Sequence, residues 1–380
     1  MKRNKKVILV VQGEGRGHMT QAISMAEMLA QDGIEICAVL VGCSSKRVIP
    51  AFFHEKIKAP VTQFHSPNFV TDKKNKSIRF AASLFSNLRL WPVFSKSLGL
   101  IDQTLKKHEP DAVINFYDPL IGLYYLFNKP AIPLLCIAHQ YLFLHPYFDF
   151  PSGHRMDRMA VRLFSRLTAI GADKKLAISF YPMEDFSAKN ISVVPPLLRQ
   201  SVFEQEVSSR NYYLIYLLNS GYRDEIIAWH QKNQHIEAHC FCDMPETYET
   251  LRYGENLYFH KLDDAKFLHF MAGAKGLVST AGFESVCEAM YLGKPVFMVP
   301  VEGHFEQFCN ARDACKAGAG IFDTYFNLDA FVDYVSSCEI DPLPFRNWLK
   351  DSKTLFRDEI HKILDMQNVP VSNFTLALNT

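Results

Sequence analysis

The chain has 380 residues, of which 48% are hydrophobic and 21% are charged, and its net charge is +1. This composition excludes an intrinsically disordered protein, and the length favours two domains over one. The nine cysteines contain no C-x-x-C pair, so we expect the thiols of a reducing cytoplasm rather than a zinc site. No apolar run approaches the roughly 20 residues of a membrane span, and the run after the basic N-terminus is too short for a signal peptide.

Charge is distributed unevenly between the two halves of the chain. Residues 1–200 contain 26 Lys and Arg against 15 Asp and Glu, whereas residues 201–380 contain 15 against 25. This asymmetry indicates a basic face for phosphate or an anionic surface on the first half, although scattered solvated lysines would give the same counts.

The first 200 residues alternate apolar runs with helical patterns. The run VILVV at residues 7–11 has no polar alternation, which predicts a buried strand of a parallel sheet. A glycine-rich break, apolar residues at three- and four-residue steps and then Gly33 predict a loop, a helix and its end. Further strands are expected within 34–42, 112–116 and 131–139. The order predicts a doubly wound α/β domain, whose ligands bind beyond the carboxyl ends of the strands.

The pattern restarts after Pro195-Pro196, where a polar stretch follows a strand. Strand and helix signals alternate again, so the sequence predicts two Rossmann-like domains. Their predicted bounds are residues 1–200 and 205–343, followed by a helix over about 344–366 and a loose tail over 367–380.

The loop GEGRGH at residues 13–18 carries the first chemical signal. Its glycine spacing is G-x-G-x-G rather than G-x-G-x-x-G, and it lacks the Lys-Ser/Thr of a P-loop, which disfavours a dinucleotide oxidoreductase. Glycines let the backbone approach a ligand closely, and His18 directly follows Gly17 at the mouth of this turn. Taken alone, His18 fits a structural histidine that bonds the backbone of the turn better than it fits a catalytic one.

The stretch TAGFESVCEAMYLGKPVFMVP at residues 280–300 is more specific. It predicts a strand that ends near Thr280 and a helix that starts just after Gly282. Unpaired amides at a helix N-terminus bind phosphate, and the Ser285 hydroxyl lies close to them. Glu288, one turn further, can accept hydrogen bonds from ribose hydroxyls. A solvated helix glutamate is the alternative, which its apolar neighbours disfavour.

The chain resembles the nucleotide-sugar-dependent glycosyltransferases of GT-B fold, in particular the inverting UDP-glycosyltransferase and MurG-like group. The motifs that carry this resemblance are, in order, GEGRGHMTQA, VINFYDPL, NSGY, TAGFESVCEAMYLGKPVFMVP, EQFCNA and AGAG. They span about residues 7–320, and the C-terminal block is the most specific. The resemblance implies two Rossmann-like domains that face a central cleft, with the donor nucleotide on the second, the acceptor on the first, and a last helix that packs on the first.

The resemblance also implies roles for individual residues. His18 matches the general base, and Asp118 matches the aspartate that orients it, although an Asp-Pro pair also commonly starts a turn. The implied donor-binding residues are Gly17, Asn219, Ser220, Gly221, Thr280, Gly282, Ser285, Glu288, Glu306 and Gln307. Thr280 replaces a phosphate-contacting histidine of many UDP-glycosyltransferases, and Glu306 is one methylene longer than their aspartate.

The expected function is inverting sugar transfer from a nucleoside-diphosphate sugar, UDP-sugar first, to the hydroxyl of a lipid or small-molecule acceptor. A neutral imidazole takes the acceptor proton, and the helix N-terminus stabilises the departing diphosphate. The sequence contains no Asp-x-Asp motif, so we expect neither metal nor cofactor. The alternatives are a nucleotide-sugar 2-epimerase of the same fold and a non-catalytic nucleotide-sugar-binding protein.

Residues 74–100 interleave basic and aromatic side chains. This pattern fits an amphipathic helix on an anionic membrane surface, although such spacing more often belongs to an ordinary core-facing helix. The first reading predicts a peripheral position on the inner face of the membrane and a role in glycolipid or cell-envelope glycan synthesis. No nucleic-acid-binding module accompanies the aromatics, so nucleic acid is not an expected partner.

Overall fold

The computed structural model describes residues 4–44, 47–67, 90–216, 222–242, 244 and 249–366. Within these ranges the chain forms two seven-stranded sheets with helices packed against them. The predicted doubly wound α/β architecture is confirmed.

The first sheet contains the N-terminal strands. They are β1 (Lys6–Gln12), β2 (Glu35–Cys43), β3 (Val61–His65), β4 (Ala112–Phe116), β5 (Leu134–Ala138), β6 (Lys174–Ile178) and β7 (Ile191–Val194). Their spatial order is β3-β2-β1-β4-β5-β6-β7, and all the pairs are parallel. The helices of this part are α1 (Arg16–Gln31), α2 (Ala51–Lys56), α3 (Trp91–His108), α4 (Pro119–Asn128), α5 (Arg155–Thr168) and α6 (Gln200–Phe203), with a 3₁₀ helix at His139–Leu144.

The second sheet repeats this architecture. Its strands are β8 (Tyr212–Tyr216), β9 (Glu237–Cys242), β10 (Thr250–Tyr253), β11 (Leu257–Lys261), β12 (Leu277–Ser279), β13 (Val296–Met298) and β14 (Gly320–Phe322). They lie in the order β10-β11-β9-β8-β12-β13-β14, and only the β10–β11 pair is antiparallel. The helices are α7 (Arg223–Lys232), α8 (Asp264–Gly273), α9 (Phe283–Tyr291), α10 (Phe305–Lys316), α11 (Leu328–Ser337), α12 (Leu343–Leu349) and α13 (Ser352–Asp365).

Burial explains why the first apolar run becomes a central strand. Val7 to Val11 are fully buried, because helices cover both faces of β1 and strands flank both its edges. The strand order reverses between β1 and β4, and in the second sheet between β8 and β12. Ligands of doubly wound sheets bind at such reversals. We therefore expect a ligand-binding site at the loops that follow β1, β4 and β12.

The C-terminal helices return to the first sheet. Arg357 on α13 forms a salt bridge with Asp32 (Nε–Oδ2 2.8 Å), and the Trp348 indole donates a hydrogen bond to the Ser179 carbonyl at 3.0 Å. One helix was expected over 344–366, and this was wrong. The chain forms α12 and α13, separated by Lys350-Asp351, because the backbone at Asp351 (φ −97°, ψ 7°) leaves the helical conformation. The expected tail, 367–380, lies outside the described residues.

The predicted membrane segment is described only in part. Residues 74–89 lie outside the described residues. The remainder continues into α3, which buries Phe94 and Ile101 in the core while Trp91 stays 46% exposed.

Candidate active site

A cleft of about 870 Å³ is lined by loops and helix ends from both halves of the chain. The expected site residues that line it are Gly17, His18, Gly282, Ser285, Glu288, Glu306 and Gln307. The loop after β1 and the loop after β12 thus meet in one cavity, as the strand-order reversals require.

His18 lies in the first turn of α1, where its imidazole stacks on Tyr117 with centroids 5.5 Å apart. Its Nδ1 lies 3.4 Å from Oε1 of Gln21, and its Nε2 lies 3.5 Å from Nε2 of Gln140. An amide oxygen only accepts, so Nδ1 carries the proton, and Nε2 keeps the lone pair that a general base needs. Burial lowers the pKa of His18 to about 4, which leaves the ring neutral at pH 7.

Two glutamates of the second sheet's half complete this arrangement. Gln21 donates through Nε2 to Oε1 of Glu284 at 2.6 Å, and Gln140 donates through Nε2 to Oε1 of Glu306 at 2.8 Å. Each glutamine therefore contacts His18 on one side and a glutamate across the cleft on the other. Burial raises the pKa of Glu284 to about 8 and that of Glu306 to about 7. The position of His18 depends on both halves of the chain.

Asp118 serves a different purpose from the one expected. It caps α4, because Oδ1 accepts a hydrogen bond from the Leu120 amide at 2.8 Å. A Cβ at Gly42 would lie 1.9 Å from Oδ2 of Asp118, so this carboxylate fills space that only glycine leaves free. Among the contacts of the described residues, Asp118 and His18 share neither a hydrogen bond nor an ion pair. The expected orienting contact is not formed, since Gln21 stands at Nδ1 instead.

The second half of the cleft is built around the start of α9. Ala281 takes a left-handed conformation (φ +60°), and Gly282 precedes the helix without a side chain to cap it. The first-turn amides, which have no intrahelical partner in any helix, therefore have no side-chain cap either, and the residues that carry them line the cleft. Ser285 donates its hydroxyl to the Gly282 carbonyl at 3.2 Å. Thr280 is fully buried, so its hydroxyl does not reach the cleft surface.

Glu288 is held by an arginine. Arg199 donates to its two carboxylate oxygens at 2.7 and 3.2 Å, and the same guanidinium lies 3.3 Å from Oδ2 of Asp264. Glu288 is only 3% exposed. A carboxylate has about four acceptor positions, and Arg199 occupies two of them. Glu288 therefore retains capacity for a ligand's hydroxyls.

The remaining expected residues divide into three groups. Gln307 lines the cleft but uses Oε1 to accept from the Val301 amide at 2.9 Å. A Cβ at Gly17 would meet Cγ of Glu284 at 3.5 Å, an ordinary contact, so Gly17 permits rather than requires this approach. The third group, Asn219, Ser220 and Gly221, lies outside the described residues.

Sequence reasoning missed four residues: Gln21, Gln140, Glu284 and Arg199. Gln21 was detectable, because a residue three positions after His18 lies on the same helix face. Glu284 stands within the block already singled out. Gln140 and Arg199 gave no local signal, since their partners lie 166 and 89 positions away.

None of the helices in the described ranges combines the length and the apolar character that crossing a bilayer demands. In the same ranges, no three or more His, Cys, Asp or Glu side chains converge on a point that a metal ion could occupy.

The family model described as Glycosyl transferase family 1 matches residues 5–337. The chain belongs to this family. It is therefore a glycosyltransferase, and the resemblance inferred from its motifs is confirmed. No curated protein sequence matches the chain at a significant level.

Solved structures with the same architecture cover nearly the whole chain. The glycotransferase of kitacinnamycin is 14% identical with a TM-score of 0.63, covering 95% of this chain and 99% of its own. MurG of Acinetobacter baumannii is 17% identical with a TM-score of 0.53, covering 94% and 99%. Arabidopsis thaliana UGT89C1, complexed with UDP-L-rhamnose, is 13% identical with a TM-score of 0.58, covering 97% and 99%. These likenesses establish the GT-B fold.

Proposed function

We propose that this glycosyltransferase moves a sugar from a UDP-sugar to an acceptor hydroxyl, with inversion at the anomeric carbon and without a metal ion. The observation that carries the proposal is that His18, neutral and with Nε2 free of a proton, lines the same cleft as the uncapped start of α9. His18 supplies a base, and the N-terminus of α9 supplies positive electrostatic potential. The absence of an Asp-x-Asp motif from the sequence supports a metal-free reaction.

The base acts on the acceptor. The acceptor hydroxyl gives its proton to Nε2 of His18 while its oxygen bonds to the anomeric carbon on the face opposite the diphosphate. The bond between that carbon and the diphosphate oxygen breaks, and the electron pair leaves with the diphosphate. Gln21 keeps the other ring nitrogen protonated throughout. The long 3.5 Å contact from Gln140 to Nε2 is weak enough for an incoming hydroxyl to replace it.

The donor lies on the second half of the cleft. The first-turn amides of α9 and the Ser285 hydroxyl bind the diphosphate and stabilise its charge as it departs. Glu288 accepts hydrogen bonds from the ribose, while Glu306 and Gln307 face the sugar hydroxyls. UDP is the first nucleotide to test, because the structure of UGT89C1, which shares this fold, is complexed with UDP-L-rhamnose.

The acceptor binds on the side of the first sheet. Tyr117 and Phe164 give this wall an aromatic surface beside His18. Such a surface suits the apolar part of a lipid or an aromatic small molecule that carries the hydroxyl.

Calorimetric titration with UDP, GDP and dTDP tests the donor site. We expect UDP to bind, and Glu288→Ala to weaken binding by about tenfold, the loss of one hydrogen-bonded contact to a charged group. Glu339→Ala, an exposed glutamate outside the cleft, serves as the matched control and leaves the affinity unchanged. Equal affinities for both variants would contradict the assignment of the ribose site.

A further inference from the structure

The outer face of α5 combines two stripes of side chains that the catalytic cleft does not use. One stripe is apolar: Met156, Met159 and Leu163 are 72%, 58% and 63% exposed. The other is basic and consists of Arg155, Arg158, Arg162 and Arg166. Both recur at three- and four-residue steps, so each follows one side of the helix and the two run side by side.

We propose that this face of α5 docks on an anionic membrane surface. We define the docking face as the seven residues of the two stripes. The three apolar side chains enter the boundary between headgroups and acyl chains, and the arginines beside them contact lipid phosphates.

The charge of the docking face favours a membrane over a protein partner. None of the four arginines forms an ion pair with a carboxylate within the described part of the chain. Arg158 instead lies over the Phe150 ring, 5.9 Å from its centroid. Burial, followed by the charges of Arg166 and Arg158, lowers the pKa of Arg162. Four uncompensated like charges beside a narrow apolar stripe fit a diffuse anionic surface better than a protein partner, which would need matched carboxylates and a broader apolar area.

The sign of the surrounding charge agrees with this choice. Residues 1–200, which contain α5, have 26 Lys and Arg against 15 Asp and Glu, whereas the rest of the chain has an acidic excess. The half of the protein that carries α5 is therefore attracted to an anionic bilayer, and the half that carries α9 is repelled.

The inner face of the same helix packs on the core beside the cleft. Ser165 bonds to the Tyr117 hydroxyl at 2.8 Å, Thr168 lies 3.1 Å from the Tyr141 hydroxyl, and Phe164 lines the cleft. Phe164 directly follows Leu163 of the docking face. Docking therefore brings the acceptor side of the cleft to the membrane, where, on the proposed function, a lipid would present its hydroxyl to His18.

Vesicle co-sedimentation of the full-length protein tests the proposal. The probes are phosphatidylcholine vesicles with and without phosphatidylglycerol. We expect binding only to the anionic vesicles, weakened by salt. Met156→Ser/Met159→Ser/Leu163→Ser and Arg155→Gln/Arg166→Gln should each reduce the bound fraction at least roughly tenfold, because each removes one of the two contributions to interfacial binding.

A matched control removes exposed apolar side chains elsewhere. Val207→Ser/Tyr325→Ser/Leu343→Ser changes three side chains that are 49%, 60% and 59% exposed, and it should bind vesicles as the wild type does. UDP affinity, measured on every variant, should not change, which shows that the fold and donor site are intact. Absence of wild-type binding, equal binding to both vesicles, or full binding by the α5 variants would overturn the proposal. Vesicle binding without UDP binding would overturn the proposed function and leave the docking face standing.

Discussion

His18 and Gln21 form a hydrogen bond along one face of α1, with Nδ1 of the ring 3.4 Å from the amide oxygen. The amide fixes the tautomer as a carboxylate would, but it carries no charge and stabilises an imidazolium less. The low pKa of His18, about 4, follows from burial that a neutral partner offsets only weakly.

Replacing Gln21 with glutamate tests this relationship. Glu284, whose pKa is about 8, stays protonated at neutral pH and can donate to the new carboxylate at the position where it now accepts from Gln21. We expect Gln21→Glu to raise the pKa of His18 above the wild-type value and to move the acid limb of the kcat/KM profile for UDP-sugar turnover upward. Gln21→Met should lower kcat and move that limb slightly downward, because the hydrogen bond to Gln21 raises the pKa of His18. An unchanged profile in Gln21→Glu would show that Gln21 does not position the ring.

We expect Asp118 to stabilise the fold as a helix cap and to have no direct effect on His18. Asn caps helices as well as Asp, so Asp118→Asn should keep both the melting temperature and kcat close to the wild type. Asp118→Ala should lower the free energy of unfolding by about 1 kcal/mol. A hundredfold loss of kcat in Asp118→Asn would restore the carboxylate as the orienting group.

The buried Glu284 makes stability depend on pH. Its pKa in the folded protein is about 8, above its ordinary value, so its contribution is fully present below about pH 4.5 and is lost as pH rises toward 8. Across that window one proton gives a slope of up to about 1.4 kcal/mol per pH unit. Glu284→Gln should flatten the fall in melting temperature between pH 5 and pH 8, while the exposed control Glu339→Gln should not. Equal slopes in the wild type and Glu284→Gln would contradict the assignment.

The pair Arg199 and Glu288 predicts a strong energetic coupling. Removing the guanidinium leaves a carboxylate that is 3% exposed without its charged partner, so Arg199→Met should cost about 3–5 kcal/mol of unfolding free energy. The double variant Arg199→Met/Glu288→Met should recover most of that loss, because no buried charge remains. Urea unfolding of the four proteins measures the cycle. Additive losses would mean that the ion pair is not coupled.

Local patterns predict much of the fold. The unit of residues 7–33 is foreseeable because apolar β-branched residues, glycines and helical spacing agree with one another, and Gly33 ends the helix with φ +69°. The start of α9 is predictable in the same way, since Gly282 and the apolar periodicity after it indicate where the helix begins. The break between α12 and α13 is not, because their apolar spacing reads as one helix and tertiary packing decides where it bends.

The sequence predicts which residues line the candidate site better than it predicts which side chains those residues contact. Residue type and spacing bring His18 and Glu288 to the cleft. Their distant partners follow from how the two halves of the chain meet: Gln140 lies 122 positions from His18, and Arg199 lies 89 positions from Glu288. Asp118 is the opposite case, because the local sequence predicted its contact. The Asp-Pro pair favours the start of a turn, and Asp118 forms a helix cap there.

The central claim is that His18 is the base of a sugar transfer whose donor binds elsewhere in the cleft. The direct measurement is UDP release from UDP-sugars, with a panel of lipid and small-molecule hydroxyl acceptors, by the wild type and His18→Ala, together with the UDP dissociation constant of each. We expect kcat to fall by about 10²–10⁴, the range of general-base catalysis, while the dissociation constant is unchanged. Transfer that continues at the wild-type rate in His18→Ala would contradict the account.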